Sequence, residues 1–382
     1  MEMVVDSLIR SQALAGHDVT LVTRWKQASA LRKVSPDYPV IALPPRPSGG
    51  SQAFLDVGSR WPVAAAVAFH QLRHRFDIWH AHWLYPTGWM AESVLRPLGV
   101  PLVMTAHGAD VNVDEEASYG FRQFHKHDTR VRDMLKRPCW TTGVSPDICD
   151  VLHDLDAKNI RCIPNGISFE GITARKTDVF AIRKSLSVSE DTFLLLTAAR
   201  NVRTKGLHHI VWILKALSRT NLKIVWIIVG QNVEGLKQQF HNEGLSEQVR
   251  LLPAISKDLH DPSLAPPSAL IDLYRCSDLF VFPTHNEAFG LVALEAMAAG
   301  TATIASDIGG LRSFMRSGEN SLLVPQGDES AFADAIISLL IDPKRRQRLA
   351  DQGQKTAQRY AWSKVSDSYL TFYHEVISET LK

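Results

Sequence analysis

Two groups of residues in the second half of the chain have types and spacing suited to chemistry. In HNEAFGLVALEAMAAG, residues 285–300, Glu287 and Glu295 stand around a Phe-Gly-Leu step. The segment follows an apolar run that stops at Pro283. Glu287 therefore falls on the loop at the carboxyl end of a strand, and Glu295 about one turn inside the helix that follows, with Gly300 placed to close that helix. The backbone N–H groups of Phe289, Gly290 and Leu291 open the helix and form a site for an anion or a hydroxyl. Gly290 lets a ligand approach the backbone closely. Two acceptor-only carboxylates beside such donors suit a polyhydroxy, phosphate-bearing ligand better than a metal. The blander reading is that Glu287 caps the helix and Glu295 is a solvated surface residue, since acidic groups are favoured in a first helical turn.

The second group is TAARNVRTKGLHHI, which begins at the end of a strand and runs into a helix. Arg200 offers a bidentate fork and Lys205 a point charge, with Gly206 opening the helix; together they read as a clamp for a diphosphate. Alone, both could be solvent-exposed loop charges. Because both groups follow strands of one parallel sheet, they are expected at the same crevice.

The elements that must position these residues recur in a regular pattern. Short apolar runs at 18–23, 76–81, 101–108, 139–145 and 160–166, and again at 192–200, 222–230, 249–254, 278–284, 301–306 and 321–326, alternate with helical segments. Strands apolar on both faces and separated by helices make parallel sheets. Two such series indicate an α/β chain of two doubly wound, Rossmann-like domains, with the ligand site in a central cleft that both face. A length of 382 residues suits two domains. The boundary falls at IPNGISFEGI, residues 163–172, with domains over 1–168 and 169–362 and a final helix over 363–382 completing the first.

Composition excludes several functions. The net charge is +2, and residues 1–170 hold 18 Lys/Arg against 18 Asp/Glu, so no basic domain marks a nucleic-acid binder. Cys139, Cys149, Cys162 and Cys276 are scattered without a C-x-x-C pair, which suits free thiols in a reducing compartment. No apolar stretch reaches the ~20 residues that span a bilayer, and no secretory signal opens the sequence. The expectation is a cytoplasmic enzyme, with the basic segments 24–33 and 126–137 able to meet anionic lipid on the inner face of a membrane. His80 and His82, on one face of a strand, are read as hydrogen-bonding residues at the cleft edge rather than metal ligands, and most of the Trp residues as core.

The segment EAFGLVALE resembles the E-x7-E motif of retaining nucleotide-sugar glycosyltransferases of the GT-B fold, glycosyltransferase family 4 (the group 1 glycosyl transferases). GHDVTLVT, PLVMTAHGAD, GVSPDICDVL, CIPNGIS, ARNVRTKG, ASDIGG, NSLLVPQGD and the terminal YAWSKVSDSYLTFYHEV resemble that family's other segments, in its order, over nearly the whole chain. The resemblance implies that Arg200 and Lys205 neutralise the donor diphosphate as it leaves and that Glu295 accepts hydrogen bonds from the ribose. It also implies that Glu287, with the amides of Phe289, Gly290 and Leu291, holds the donor sugar, and that His107, on the opposite domain, reaches the transferred sugar. It further implies retention of configuration and no cofactor or metal. The donor would be a nucleotide sugar, UDP with a hexose such as glucose being the commonest choice. The acceptor would be a glycan or a lipid-linked molecule in cell-surface polysaccharide or glycolipid synthesis. Two alternatives stand beside this: a nucleotide-sugar epimerase of the same architecture, and a non-catalytic member that binds a sugar nucleotide or a partner. The family pattern opens with a strand and a Gly-rich turn, whereas this sequence starts inside what reads as the first helix, so a truncated first domain is expected. Ser168 stands where the family often has Asp, and GGLRSFM lacks a glutamate often found after the Gly pair.

Overall fold

Runs such as FLLLTA, IVWIIVG and LFVF are buried along almost their whole length, because helices cover both faces of the sheet they form. The computed structural model describes residues 2–33, 37–43, 60–114, 119–255 and 266–380. Its described strands are β1 (Leu21–Arg24), β2 (Val40–Leu43), β3 (Trp79–His82), β4 (Leu102–Ala106), β5 (Trp140–Gly143), β6 (Asn159–Cys162), β7 (Phe193–Ala198), β8 (Ile224–Gly230), β9 (Val249–Pro253), β10 (Leu279–Phe282), β11 (Thr303–Ser306) and β12 (Leu322–Val324). The chain divides into two units, one of Met1–Asn165 with Trp362–Lys382 and one of Gly166–Ala361.

In the second unit the described strands form one parallel sheet in the order β12-β11-β10-β7-β8-β9. From β7 the chain winds outward through β8 and β9, then returns to β10 on the other side of β7 and winds outward again. The order therefore reverses between β7 and β10, and a crevice opens there beyond the carboxyl ends of the strands. On one side of the sheet Trp226, Leu214, Ile210 and Phe332 belong to a single continuous core.

The first unit holds two parallel sheets, β1-β2 and β3-β4-β5-β6. In the common doubly wound order a central strand joins two such groups; among the described residues no strand takes that place. The helix Trp362–Thr380 packs on this unit through Val365, Tyr369, Phe372, Tyr373 and Val376, spaced three or four residues apart as one helical face requires. Ser11 Oγ donates to the Trp362 carbonyl at 3.2 Å, and Tyr369 lies 3.4 Å from Thr105 Oγ1 on β4.

Eleven expected strands coincide with observed ones. β2 is an addition: VIAL is only four residues long and runs straight into Pro44 and Pro45. Most of the Pro/Ser-rich segment 260–269 lies outside the described residues. Trp212 departs from the core expectation, being 51% exposed with Lys215 Nζ 4.6 Å from its ring centre. No helix among the described residues is long and apolar enough to cross a membrane.

Candidate functional site

The loops after β7 and β10 meet at the reversal of the sheet. After β7, Arg200 is exposed, and a single tight turn, Arg203–Lys205, ends at Gly206. Gly206 has φ 64°, and a Cβ there would lie 1.8 Å from the Pro283 carbonyl oxygen, so only glycine lets the two loops come this close. The Thr204 carbonyl accepts hydrogen bonds from the N–H of His285 at 2.8 Å, the N–H of Asn286 at 3.2 Å and Thr284 Oγ1 at 2.9 Å. Lys205 Nζ, held by this zipper, donates to the Asn286 carbonyl at 3.0 Å and lies 2.5 Å from Glu287 Oε1.

Beyond Glu287 the chain turns into the helix Leu291–Ala298 through Gly290, at φ 102° and ψ 51°. The expectation that the missing Cβ leaves room for a ligand is revised by packing: Leu311 Cδ2 fills that space, 2.3 Å from where a Cβ would stand. The Phe289 side chain is buried against Phe314 and Tyr360, with ring centres 5.3 and 5.7 Å away, so only its backbone is available to a ligand. The intrahelical ladder begins with the N–H groups of Ala293 and Leu294 bonding to the Gly290 carbonyl, which leaves the earlier amides as helix-start donors.

Glu295 is buried rather than solvated. Tyr274, on the helix Ser268–Cys276, donates its hydroxyl to Glu295 Oε2 at 3.1 Å. Burial pushes the Glu295 carboxyl up to about 7, and the Tyr274 hydrogen bond only partly opposes this. The same burial, with the neighbouring carboxylate, drives the Tyr274 hydroxyl well above its ordinary value, so it stays protonated and a donor.

His107 belongs to the other unit, on the loop after β4. Its Nε2 lies 3.0 Å from His82 Nδ1, and burial, then His82, hold its pKa well below the ordinary imidazole value. The ring is therefore neutral at pH 7 and serves as a hydrogen-bonding group. Asp110, fully buried, accepts from the N–H of His107 and the N–H of Leu84, both at 2.9 Å, and so fixes the loop that carries the imidazole. His80 is half-buried and hydrogen-bonded within its own unit: its ring nitrogens lie 2.6 Å from the Tyr373 hydroxyl and 2.6 Å from Thr105 Oγ1.

The family profile described as "Glycosyltransferase Family 4" matches residues 1–170, and that described as "Glycosyl transferases group 1" matches residues 178–356. The D-inositol 3-phosphate glycosyltransferase of Saccharomonospora viridis is 30% identical over 320 residues, covering 79% of this chain and 71% of the relative. The chain belongs to the family 4, group 1 glycosyltransferases. Among solved structures, the sucrose-phosphate synthase of Thermosynechococcus elongatus matches 98% of this glycosyltransferase and 93% of its own chain, with TM-score 0.75 and 22% identity. Anabaena Alr3699/HepE in complex with UDP and glucose matches 98% and 95%, with TM-score 0.75 and 19% identity. The shared fold is GT-B, two α/β Rossmann-like domains.

In this family 4 glycosyltransferase, Lys205 and Glu287 are in direct contact. Arg200 lies at the end of β7 on the same crevice, and Glu295 is held separately by Tyr274. Sequence reasoning missed Tyr274 and Asp110. Asp110, three residues after His107, has the spacing of a side chain that folds back on its own loop and could have been found from that. Tyr274 carries no local signal. A cluster of three imidazoles, His208, His209 and His285, was also unforeseen; one ring nitrogen of each lies within 4.8 Å of the others. Burial, then His209 and His285, lower the His208 pKa to about 4, so this ring too is neutral.

Proposed function

We propose that this glycosyltransferase moves a hexose from a UDP-sugar to a hydroxyl acceptor with retention of configuration and without a metal at the diphosphate. The observation that supports this reading is the placement of Lys205 and Glu287 in contact across the sheet reversal, with Arg200 exposed on the same loop as Lys205. In this reading the arriving diphosphate takes over Lys205 as a charge-assisted partner and adds the Arg200 fork, which stabilises the phosphate as it departs. Glu287, released from Lys205, accepts hydrogen bonds from the sugar hydroxyls, with the amides of Phe289, Gly290 and Leu291 completing the cradle. Glu295 accepts from the ribose, and His107 donates to the transferred sugar. UDP is favoured because Alr3699/HepE is described with UDP and with UDP-glucose.

The acceptor assigned from the resemblance is a glycan or lipid-linked molecule. A second reading, a small phosphorylated polyol, is favoured by the D-inositol 3-phosphate named for the relatives. The decisive experiment titrates UDP and GDP into the chain by calorimetry with chelator present, then assays UDP-glucose transfer to each acceptor class. Lys205→Ala should weaken UDP binding by about 10–150-fold, the worth of a hydrogen bond to a charged group at roughly 1.5–3 kcal/mol. Equal binding by the variant would remove Lys205 from the donor site. Transfer to an inositol phosphate and to no glycan would replace the first acceptor with the second.

A further inference from the structure

The three imidazoles beside the donor loops do not belong to the catalytic reading, and they come from two different elements. His208 and His209 open the helix His209–Leu217, and His285 lies on the loop after β10. His209 Nδ1 lies 2.5 Å from Glu329 Oε1, on the helix Glu329–Leu340. With a proton on Nδ1 donated to that carboxylate, His209 turns the lone pair of Nε2 outward, the arrangement that prepares an imidazole for a metal. That Nε2 lies 2.5 Å from Nε2 of His285, whose ring is stacked at 4.7 Å and 13°. The His208 ring, 4.1 Å from His209 centre to centre, supplies the third nitrogen.

We propose that His208, His209 and His285 bind one transition-metal ion of the Zn2+ class, with the Glu329 carboxylate behind His209 as its outer support. Three imidazole ligands suit Zn2+, Co2+ or Ni2+ and not Mg2+ or Ca2+, which take oxygen ligands. Metal–nitrogen bonds of about 2.0–2.1 Å put tetrahedral neighbours about 3.4 Å apart. The present separations bracket that value, running from 2.5 Å for the closest pair to within 4.8 Å for the set. Small side-chain rotations therefore reach it with no backbone change. The rings are partly exposed, which leaves a fourth position for water. Arg203 is a nearby positive charge that opposes a cation, and the Glu329 carboxylate offsets it.

None of its three ligands is among the residues assigned to the donor. It pins the start of the helix after Lys205 to the loop that leads to Glu287, reinforcing the Thr204 zipper. Its role is therefore structural or regulatory, and the inference stands whether or not the UDP reading holds.

The test uses the full chain, prepared without a polyhistidine tag and stripped with chelator. Zn2+ is added by calorimetric titration, and Co2+ is followed by visible absorption. One equivalent should bind, with Co2+ giving the intense bands of a tetrahedral site. His209→Ala and His285→Ala should each lose those bands, and Glu329→Gln should weaken binding by about 10–100-fold, as loss of an outer carboxylate does. His153→Ala, on an exposed helix face, should bind as the parent does. Circular dichroism checks folding, and His209→Gln and His285→Gln replace any alanine variant that fails to fold. Absence of stoichiometric binding would overturn the proposal, as would binding that survives in the folded His209 and His285 variants.

Discussion

Burial brings the ionisation of Glu295 to about 7 from an ordinary value of 4.5, and this makes the residue a reporter of its own environment. Below both values the folded and unfolded chains hold the proton equally. Between them only the folded chain does, so stability falls as pH rises through this window and stays lower above it, by about 3 kcal/mol in all. Glu295→Gln removes that dependence. Its stability relative to the parent should rise by about 3 kcal/mol between pH 4.5 and 7.5 in urea unfolding; a flat difference would mean the carboxyl is hydrated. If the ionised carboxylate accepts from ribose, the parent should also gain more UDP affinity from pH 6 to pH 8 than the Gln variant, in which only the UDP phosphate ionises over this range. Both glutamates and Lys205 were legible as candidates because charge at the carboxyl end of an apolar run is unusual. Which of them touch was not. Tyr274 reaches Glu295 across two helices, and His209 reaches His285 across 76 positions, and neither separation leaves a mark on the local pattern.

At the scale of elements, strand positions were readable wherever both faces are apolar, as in β7, β8 and β10, since water exclusion on two sides demands it. VIAL was not, because four residues against a Pro pair resemble a loop as much as a strand. The turn into the helix Leu291–Ala298 shows the same limit. A glycine there was readable, but its reason, Leu311, comes from the next βα unit. Gly290→Ala should destabilise the chain by about 1–3 kcal/mol, from strain at positive φ and from overpacking. Adding Leu311→Ala should recover the overpacking part, read as a double-mutant cycle in denaturant. Gly206→Ala should admit no such rescue by side-chain trimming, because the obstacle is the Pro283 carbonyl. Additive costs at 290 and 311 would contradict this packing.

At the scale of the molecule, the sequence reading placed the boundary at 168/169 and the returning helix from 363; the contacts divide the chain at 165/166 and 361/362. The last helix belongs to the first unit, where Phe372 packs edge-on against Trp140 of β5 with ring centres 5.9 Å apart. Phe372→Ala should cost about 3–5 kcal/mol in that unit. Hydrogen exchange should quicken at the amides of β4 and β5 and remain unchanged at β7 and β8. Equal acceleration in both units would mean they unfold together. The basic segment 126–137, read as able to meet lipid, has partners within its own unit: Arg130 stacks over Trp89, Arg132 pairs with Asp128, and Arg137 pairs with Glu92.

By itself the sequence determined the α/β class, the two series of parallel strands and the residues flanking the donor loops. These follow from burial period and chain order, which are local. The tertiary structure alone decided that β7 and β10 are neighbours, that Lys205 lies against Glu287, that Tyr274 holds Glu295 and that three imidazoles converge beside them. Each is a contact between segments far apart in sequence, and the order of strands in the sheet, which no local pattern encodes, is what brings them together.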